Sequence, residues 1–339
     1  MSPANLLPAE LRERLVRVRR DLHAHPELAY EEERTAALVA ERLEELGLAP
    51  RRGIAETGVV ADIDGGAGKT VLLRADMDAL PVEEESDAPY RSTRPGRMHA
   101  CGHDGHVASL LVAAERLVAR PPPGRVRLCF QPAEEGRGGA RRMVAEGVLE
   151  GVDAAFGVHL WNELDLGRIG LRSGPVMAAV DRFDIALRGQ GGHGALPQRA
   201  VDPVIAACQL VSALQTIVSR RADPLEACVV TVASVRAGEG FNVIPDVARL
   251  AGTCRCFSER LHAELPEQVR QLAEGVAQAH GCSAALDYER ICRPTANDPR
   301  LAALAREAAS ELLGAEAVAT EGEGTRTLAG EDFSEFAAR

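Results

Sequence analysis

The stretch MHACGHDGH, residues 98–106, sets three histidines, a cysteine and an aspartate in nine positions of a chain with nine histidines in all. Cys101 and His103 lie two apart, just ahead of a helical pattern. Thiolate and imidazole are both good ligands for zinc-like cations. Asp104 and His106 stand where they could orient a ligand or fill a helix N-terminus. Taken alone, C-x-H is a weak signal, and the plainer alternative is a polar loop with Asp104 as a helix cap.

Other stretches add to it. QPAEEG puts Glu134 and Glu135 at the end of an apolar strand. Paired carboxylates there are costly unless cations neutralise them. On extended backbone, adjacent side chains point opposite ways, so one could ligate a metal while the other faces substrate as a general base. The bland alternative is a solvated turn. FGVHLW places His159 near the end of another apolar strand, where a lone histidine is more often a packed core residue. Ligands at the C-terminal ends of different parallel strands converge in space. Cys101, His103, Glu135 and His159 thus make a candidate metal centre, with Asp76 and Asp78 of RADMD as ligand-orienting carboxylates. Farther on, GQGGHGALP sets His193 in a glycine-rich loop that permits close backbone approach. Asn242 of FNVIPD and Arg255 of GTCRCF are weaker candidates, and a guanidinium suits a substrate carboxylate.

The elements that must position these residues follow from periodicity. Helical spacing covers 6–25, 31–47, 105–119 and about 138–147, and strand-like runs cover 57–66, 70–81, 124–136 and 153–161. Such alternation predicts an α/β domain built on a mainly parallel sheet. Beyond about 180 the character changes. Phe183, Ile185 and Leu187 alternate with polar residues, and the order β-α-β-β-α-β follows, as in an α+β ferredoxin-like unit. The expected organisation is a catalytic domain over 1–179, an inserted domain over 180–290, and a return to the first domain over 291–339.

Composition limits the function classes. At 339 residues the chain is long enough for two cores, and 46% hydrophobic with 26% charged residues is ordinary for a globular protein. A net charge of −11 argues against nucleic acid and anionic membrane surfaces as partners. The N-terminus lacks the apolar core of a signal peptide, and no run of about eighteen apolar residues predicts a span. Eight scattered cysteines, several in apolar runs, fit a reduced, cytoplasmic setting.

RRDLHAHPELAYEE, LLRADMDALP, MHACGHDGH, QPAEEG, GVHLW, GGHGALPQ, NVIPD and AGEDFSEF occur in that order across nearly the whole chain. In this the sequence resembles the hippurate hydrolase and N-acyl-amino-acid amidohydrolase family of two-metal aminoacylases and carboxypeptidases, which includes indoleacetyl-amino-acid hydrolases. The resemblance implies an α/β metallohydrolase domain with an inserted lid that dimerises. It implies two divalent ions (Mn, Zn, Co or Ni) and a small N-acyl-amino-acid substrate, with homodimers or homotetramers formed through the lid. Carried over by position, Cys101, His103, Glu135 and His159 match metal ligands and Glu134 the general base. His193 matches a lid histidine, and Asn242 and Arg255 match substrate-contacting positions. His23, His25 and Glu27 match the N-terminal signature, with no chemical role attached. The family carries a further ligand histidine beyond the last motif, so 291–339 reads as an incomplete second part of the catalytic domain.

Three competing readings make different demands. A thiol hydrolase would use Cys101 as nucleophile, but it leaves Glu134, Glu135 and His159 unexplained. A zinc deaminase is suggested only by HAE at 262–264, without the P-C-x-x-C that chemistry needs. A catalytically impaired homologue or fragment would act only by binding or dimerising.

Overall fold

The computed structural model describes residues 7–319, 322 and 324–338. Their described residues form two compact units, one within Met1–Leu171, Pro299–Thr325 and Asp332–Arg339, the other Arg172–Asp298 with Arg326–Glu331.

The first unit is built on a five-stranded sheet of β1 (Arg51–Ile54), β2 (Gly58–Asp64), β3 (Thr70–Asp76), β4 (Arg125–Gln131) and β5 (Ala154–Gly157), in the order β1-β2-β4-β3-β5. The sheet is mixed. β3, β4 and β5 run parallel, whereas β1 pairs antiparallel with β2 and β2 antiparallel with β4. The mainly parallel sheet read from sequence therefore holds only for the half that ends at the candidate site. Alternating helix and strand patterns do not reveal which strand enters between which.

Both faces of the sheet are covered, so the central strands β2, β3 and β4 bury apolar residues on both sides. Val59, Ala61 and Ile63 of β2 meet Val126, Leu128 and Phe130 of β4 beneath α1 (Ala9–Ala24), α2 (Glu33–Glu45) and α3 (His103–Ala119). Val60, Leu72 and Cys129 point the other way, onto α4 (Gly139–Ala145) and Phe336. The C-terminal ends of β3, β4 and β5 share one rim, and the N-terminus of α3 enters beside it.

The second unit has a four-stranded antiparallel sheet in the order Cys228–Ala237, Val247–Cys256, Ala179–Arg188, Ser283–Cys292. With α5 (Pro203–Thr216) and α6 (Glu259–Ala279) between strands, this is the ferredoxin-like order. Phe183, Ile185 and Leu187 all face the core, as their alternation requires. The unit is wider than 180–290, because Gly174–Met177 pairs with Thr295–Asn297. The segment Pro203–Arg221 is long and apolar enough, at a mean hydropathy of 1.2, to match a membrane span by composition. Its Ala206, Ala207, Leu210, Leu214 and Ile217 are packed into this core. His262, of the HAE triplet, is likewise a core residue: its Nε2 meets Asp181 at 2.8 Å, and Tyr288 donates to the same carboxylate at 2.7 Å.

Phe183 is fully buried, so Phe183→Ala should cost about 3–5 kcal/mol in urea denaturation through lost contacts and a cavity. Leu166→Ala, at a fully exposed side chain, should stay within about 0.5 kcal/mol of the parent.

Candidate metal centre

Three strand ends and one helix start bring the predicted residues of the first unit together. Cys101 Sγ lies 3.5 Å from His159 Nε2, although 58 residues separate them. Ligand atoms of Cys101, His103 and His159 lie within 4.8 Å of one another, and so do those of His103, Glu134 and Glu135. His103 is common to both groups.

Each side chain is aimed by a specific partner. Gly102 has φ +89°, a left-handed turn that suits glycine and starts α3 between Cys101 and His103. His103 Nδ1–H donates to the Asp78 carbonyl at 2.8 Å, which fixes the ring and leaves Nε2 as its atom for the cluster. His159 Nδ1–H donates to the Leu160 carbonyl at 2.6 Å and turns Nε2 toward Cys101. The Asp78 carboxylate accepts the peptide N–H groups of Glu134 and Glu135, each at 3.0 Å. One residue at the end of β3 thus orients an imidazole and both glutamates.

His106 is not available as a ligand. Its Nδ1–H donates to Asp76 at 2.5 Å, and its Nε2 accepts the Leu160 N–H at 2.9 Å. It ties α3 to the segment after β5, beside His159. Asp104 does similar work behind the site. Its buried carboxylate accepts from His23 Nδ1 at 2.7 Å, from Arg19 at 2.9 Å and from the Gly105 N–H at 2.9 Å. That contact gives the N-terminal signature histidine a structural part, anchoring α1 to the start of α3. Burial pushes Asp104 up, and the His23 hydrogen bond with nearby cations more than reverses it.

The surroundings are acidic: Asp76, Asp78 and His103 are buried, and Cys101, Glu134, Glu135 and His159 are half-buried. Burial alone would lower His103, but Asp76 and Asp78 hold it well above its ordinary value. Burial pushes Asp76 up, and Arg74, His103 and His106 together draw it well below the carboxylate range. Burial raises the Glu135 carboxyl and the Cys101 thiol. A raised thiol is a poor nucleophile, which weakens the thiol-hydrolase reading. Among the described residues, His103 Nε2 and Glu135 Oε1 are buried with no hydrogen-bond partner. Buried polar atoms without partners are costly, and a divalent cation would satisfy both. The donor set of one thiol, two imidazoles and carboxylates fits such an ion.

Some contributors were not legible in advance. Arg74 donates to Asp76 at 2.6 Å, to Gln131 at 2.8 Å and to Asp332 at 3.2 Å. Asp332 also accepts from Gln131 at 2.8 Å and from the Ala140 N–H at 3.0 Å, and its own N–H reaches Glu134 at 3.3 Å. Its one sequence signal was the GEDF motif. His193, Asn242 and Arg255 belong to the second unit. His193 is exposed and paired with Val243, and Gly194 N–H donates to the Asn242 carbonyl at 2.8 Å, so these two share one short ribbon. Arg255 is half-buried and donates to the Leu328 carbonyl at 2.8 Å.

Residues 72–339 match the model of peptidase family M20/M25/M40. The chain belongs to that family. N-acetyl-L-cysteine deacetylase of Bacillus subtilis is 42% identical over 91% of this chain and 74% of its own. N-acyl-L-amino acid amidohydrolase of Geobacillus stearothermophilus is 43% identical over 86% of this chain and 81% of its own. IAA-amino acid hydrolase ILR1-like 4 of Arabidopsis thaliana is 43% identical over 89% and 70%. The crystal structure of the Bacillus subtilis YXEP protein, described as a dinuclear metal-binding M20 peptidase, superposes with a TM-score of 0.84 at 37% identity, covering 98% of this chain and 87% of that one. As a member of this family, the M20 chain is a hydrolase of amide bonds.

Glu32 supplies a check on this buried electrostatics. It is wholly buried, and burial pushes its carboxyl up to about 7 against the opposing pull of its Thr57 hydrogen bond. An acid raised on folding favours the protonated native state. Its contribution to stability is present below the unfolded value near 4.5 and is lost as pH rises to about 7. Glu32→Gln removes the charge and keeps the shape. Urea denaturation should therefore show this variant flatter than the parent between about pH 5 and 7 and roughly 1–3 kcal/mol more stable at about pH 8. A variant no more stable than the parent at that pH would count against the burial penalty.

Proposed function

We propose that this M20 hydrolase cleaves N-acyl-amino acids with two divalent ions held at the rim of the first unit's sheet. The observation that carries the reading is the gathering of Cys101, Glu134, Glu135 and His159 around His103, whose Nε2 is buried with no hydrogen-bond partner. The dinuclear description of the YXEP protein and the names of the relatives that act on N-acetylcysteine, N-acyl-amino acids and indoleacetyl-amino acids support it.

Cys101, His103, Glu135 and His159 are assigned as ligands. The mixed sulfur, nitrogen and oxygen set suits a zinc-like divalent ion, and the family resemblance implies Mn, Zn, Co or Ni. Bound ions supply Lewis-acid polarisation of the amide carbonyl and lower the pKa of water. Glu134 takes the proton of the attacking water and returns it to the leaving amine nitrogen. From the second unit, His193 is assigned to donate to the carbonyl oxygen as negative charge develops there. Asn242 and Arg255 are assigned to the carboxylate of the amino-acid half. Arg255 spends one N–H on Leu328 and keeps the rest of its fork for an anion. We place the protein in the cytoplasm, in keeping with eight cysteines that are all free thiols. It is assigned as a homodimer or homotetramer assembled through the second unit, where Val235, Phe241 and Val243 are exposed.

Glu134→Ala should lower kcat by about 10²–10⁴-fold on N-acetyl-L-cysteine, hippurate or indoleacetyl-alanine, with bound metal unchanged by elemental analysis. A variant that turns over any of these at the parent rate would remove Glu134 from its role. Chelation should abolish turnover and added Zn or Mn restore it, whereas chelator-resistant activity would restore the thiol mechanism.

A further inference from the structure

The signature RRDLHAHPELAYEE has acidic and histidine side chains that the chemistry above does not use. Two of them are spent locally. His25 Nδ1–H donates to the Asp21 carbonyl at 2.7 Å, and the Glu27 carboxylate accepts the N–H groups of Arg34 and Thr35 at 3.0 and 2.8 Å, closing the start of α2. Glu32, two residues past the signature's Tyr30, reaches much farther. One of its oxygens accepts the Ala133 N–H at 2.9 Å and the other accepts the Thr57 hydroxyl at 2.6 Å.

Ala133 is fully buried and has φ +55°, in the left-handed region that an L-residue with a side chain rarely occupies. Holding alanine there costs roughly 1–2 kcal/mol, so something must hold it. Its carbonyl accepts the Gly139 N–H at 3.0 Å, where no side chain would fit at position 139 because a Cβ would lie 1.7 Å from the Pro132 carbonyl oxygen. Its N–H is held by Glu32. The next two N–H groups, of Glu134 and Glu135, go to Asp78. Three consecutive peptide N–H groups therefore point at two buried carboxylates, one from the start of α2 and one from the end of β3. Asp78 grips the two glutamates directly. Glu32 grips the residue whose backbone turn decides where they begin.

We propose that Glu32 is a positioning residue: its carboxylate holds Ala133 in the left-handed conformation and thereby sets the direction in which Glu134 and Glu135 project into the metal centre. The inference rests on the roles assigned above to those two glutamates. It concerns geometry rather than charge, so glutamine, which reaches both Ala133 and Thr57, serves as well as glutamate.

The test uses the full chain with Zn or Mn and reads two quantities, metal affinity by competition with a chromophoric chelator and kcat on N-acetyl-L-cysteine, hippurate or indoleacetyl-alanine. Glu32→Ala should weaken metal binding about 10-fold or more and lower kcat at saturating metal by about 10–100-fold. Glu32→Gln should stay within about threefold of the parent in both, because its amide oxygen accepts the Ala133 N–H while its NH2 donates to the Thr57 hydroxyl. Glycine adopts a positive φ without strain, so Ala133→Gly should recover part of both losses in the Glu32→Ala background while changing the parent little. If Glu32→Ala does not fold, Glu32→Asp, which keeps the charge and pulls the oxygens back by one methylene, carries the same comparison. Parental metal affinity in the variant, or a loss that Ala133→Gly leaves unrepaired, overturns the proposal. Glu134→Ala in the same assays separates the two levels. Parental turnover there sinks the assignment of Glu134, whereas abolished turnover beside a silent Glu32→Ala sinks only the role of Glu32.

Discussion

The candidate site depends on one carboxylate at the end of one strand. Asp78 is buried and accepts two consecutive peptide N–H groups from the turn after β4, while its own carbonyl takes the Nδ1–H of His103. These bonds couple three elements remote in sequence: the segment just after β3 that carries Asp78, the turn that carries Glu134 and Glu135, and the helix that starts at His103. A buried carboxylate is tolerated only when its lone pairs are met by donors, so the arrangement is self-consistent or absent. Rigid positioning of this kind lets a few side chains hold one geometry against the many rotamers open to them.

Around that grip the molecule spends charge freely. Arg74 sits among Asp76, Gln131 and Asp332, and Asp104 is held by His23 and Arg19. Buried ion pairs contribute little to stability against well-packed apolar residues. Their abundance on one rim, and the largely apolar packing on both sheet faces behind it, separate a part built for chemistry from a part built for stability. The M20 relationship agrees with that division, since the named relatives share amide hydrolysis while differing in the acyl and amino-acid groups they are named for.

Much of the candidate site was legible because metal ligands need particular residue types. Cysteine, histidine and glutamate at the ends of apolar runs stood out against an ordinary composition, and eight motifs in order carried the family. Their partners were less visible. The sequence placed His103 among the ligands and His106 among the orienting residues, but not the groups that take both nitrogens of His106, Asp76 and the Leu160 N–H. Asp332 stands 258 residues from Arg74, and Glu32 stands 101 from Ala133. An acidic residue in a helix-start pattern looks solvated until the fold buries it.

By itself, the sequence determined the alternation of helices and strands, the inward faces of Phe183, Ile185 and Leu187, and the residue types gathered for divalent cations. Local periodicity and the chemistry of single side chains are properties of short stretches, so they survive without a fold. Only the tertiary structure decided the mixed order of the first sheet, the tautomer that His106 and His159 adopt, and the carboxylates that aim the glutamates. Strand order, tautomer and aim all depend on which distant backbone groups arrive at hydrogen-bonding distance, and that is a property of the folded chain alone.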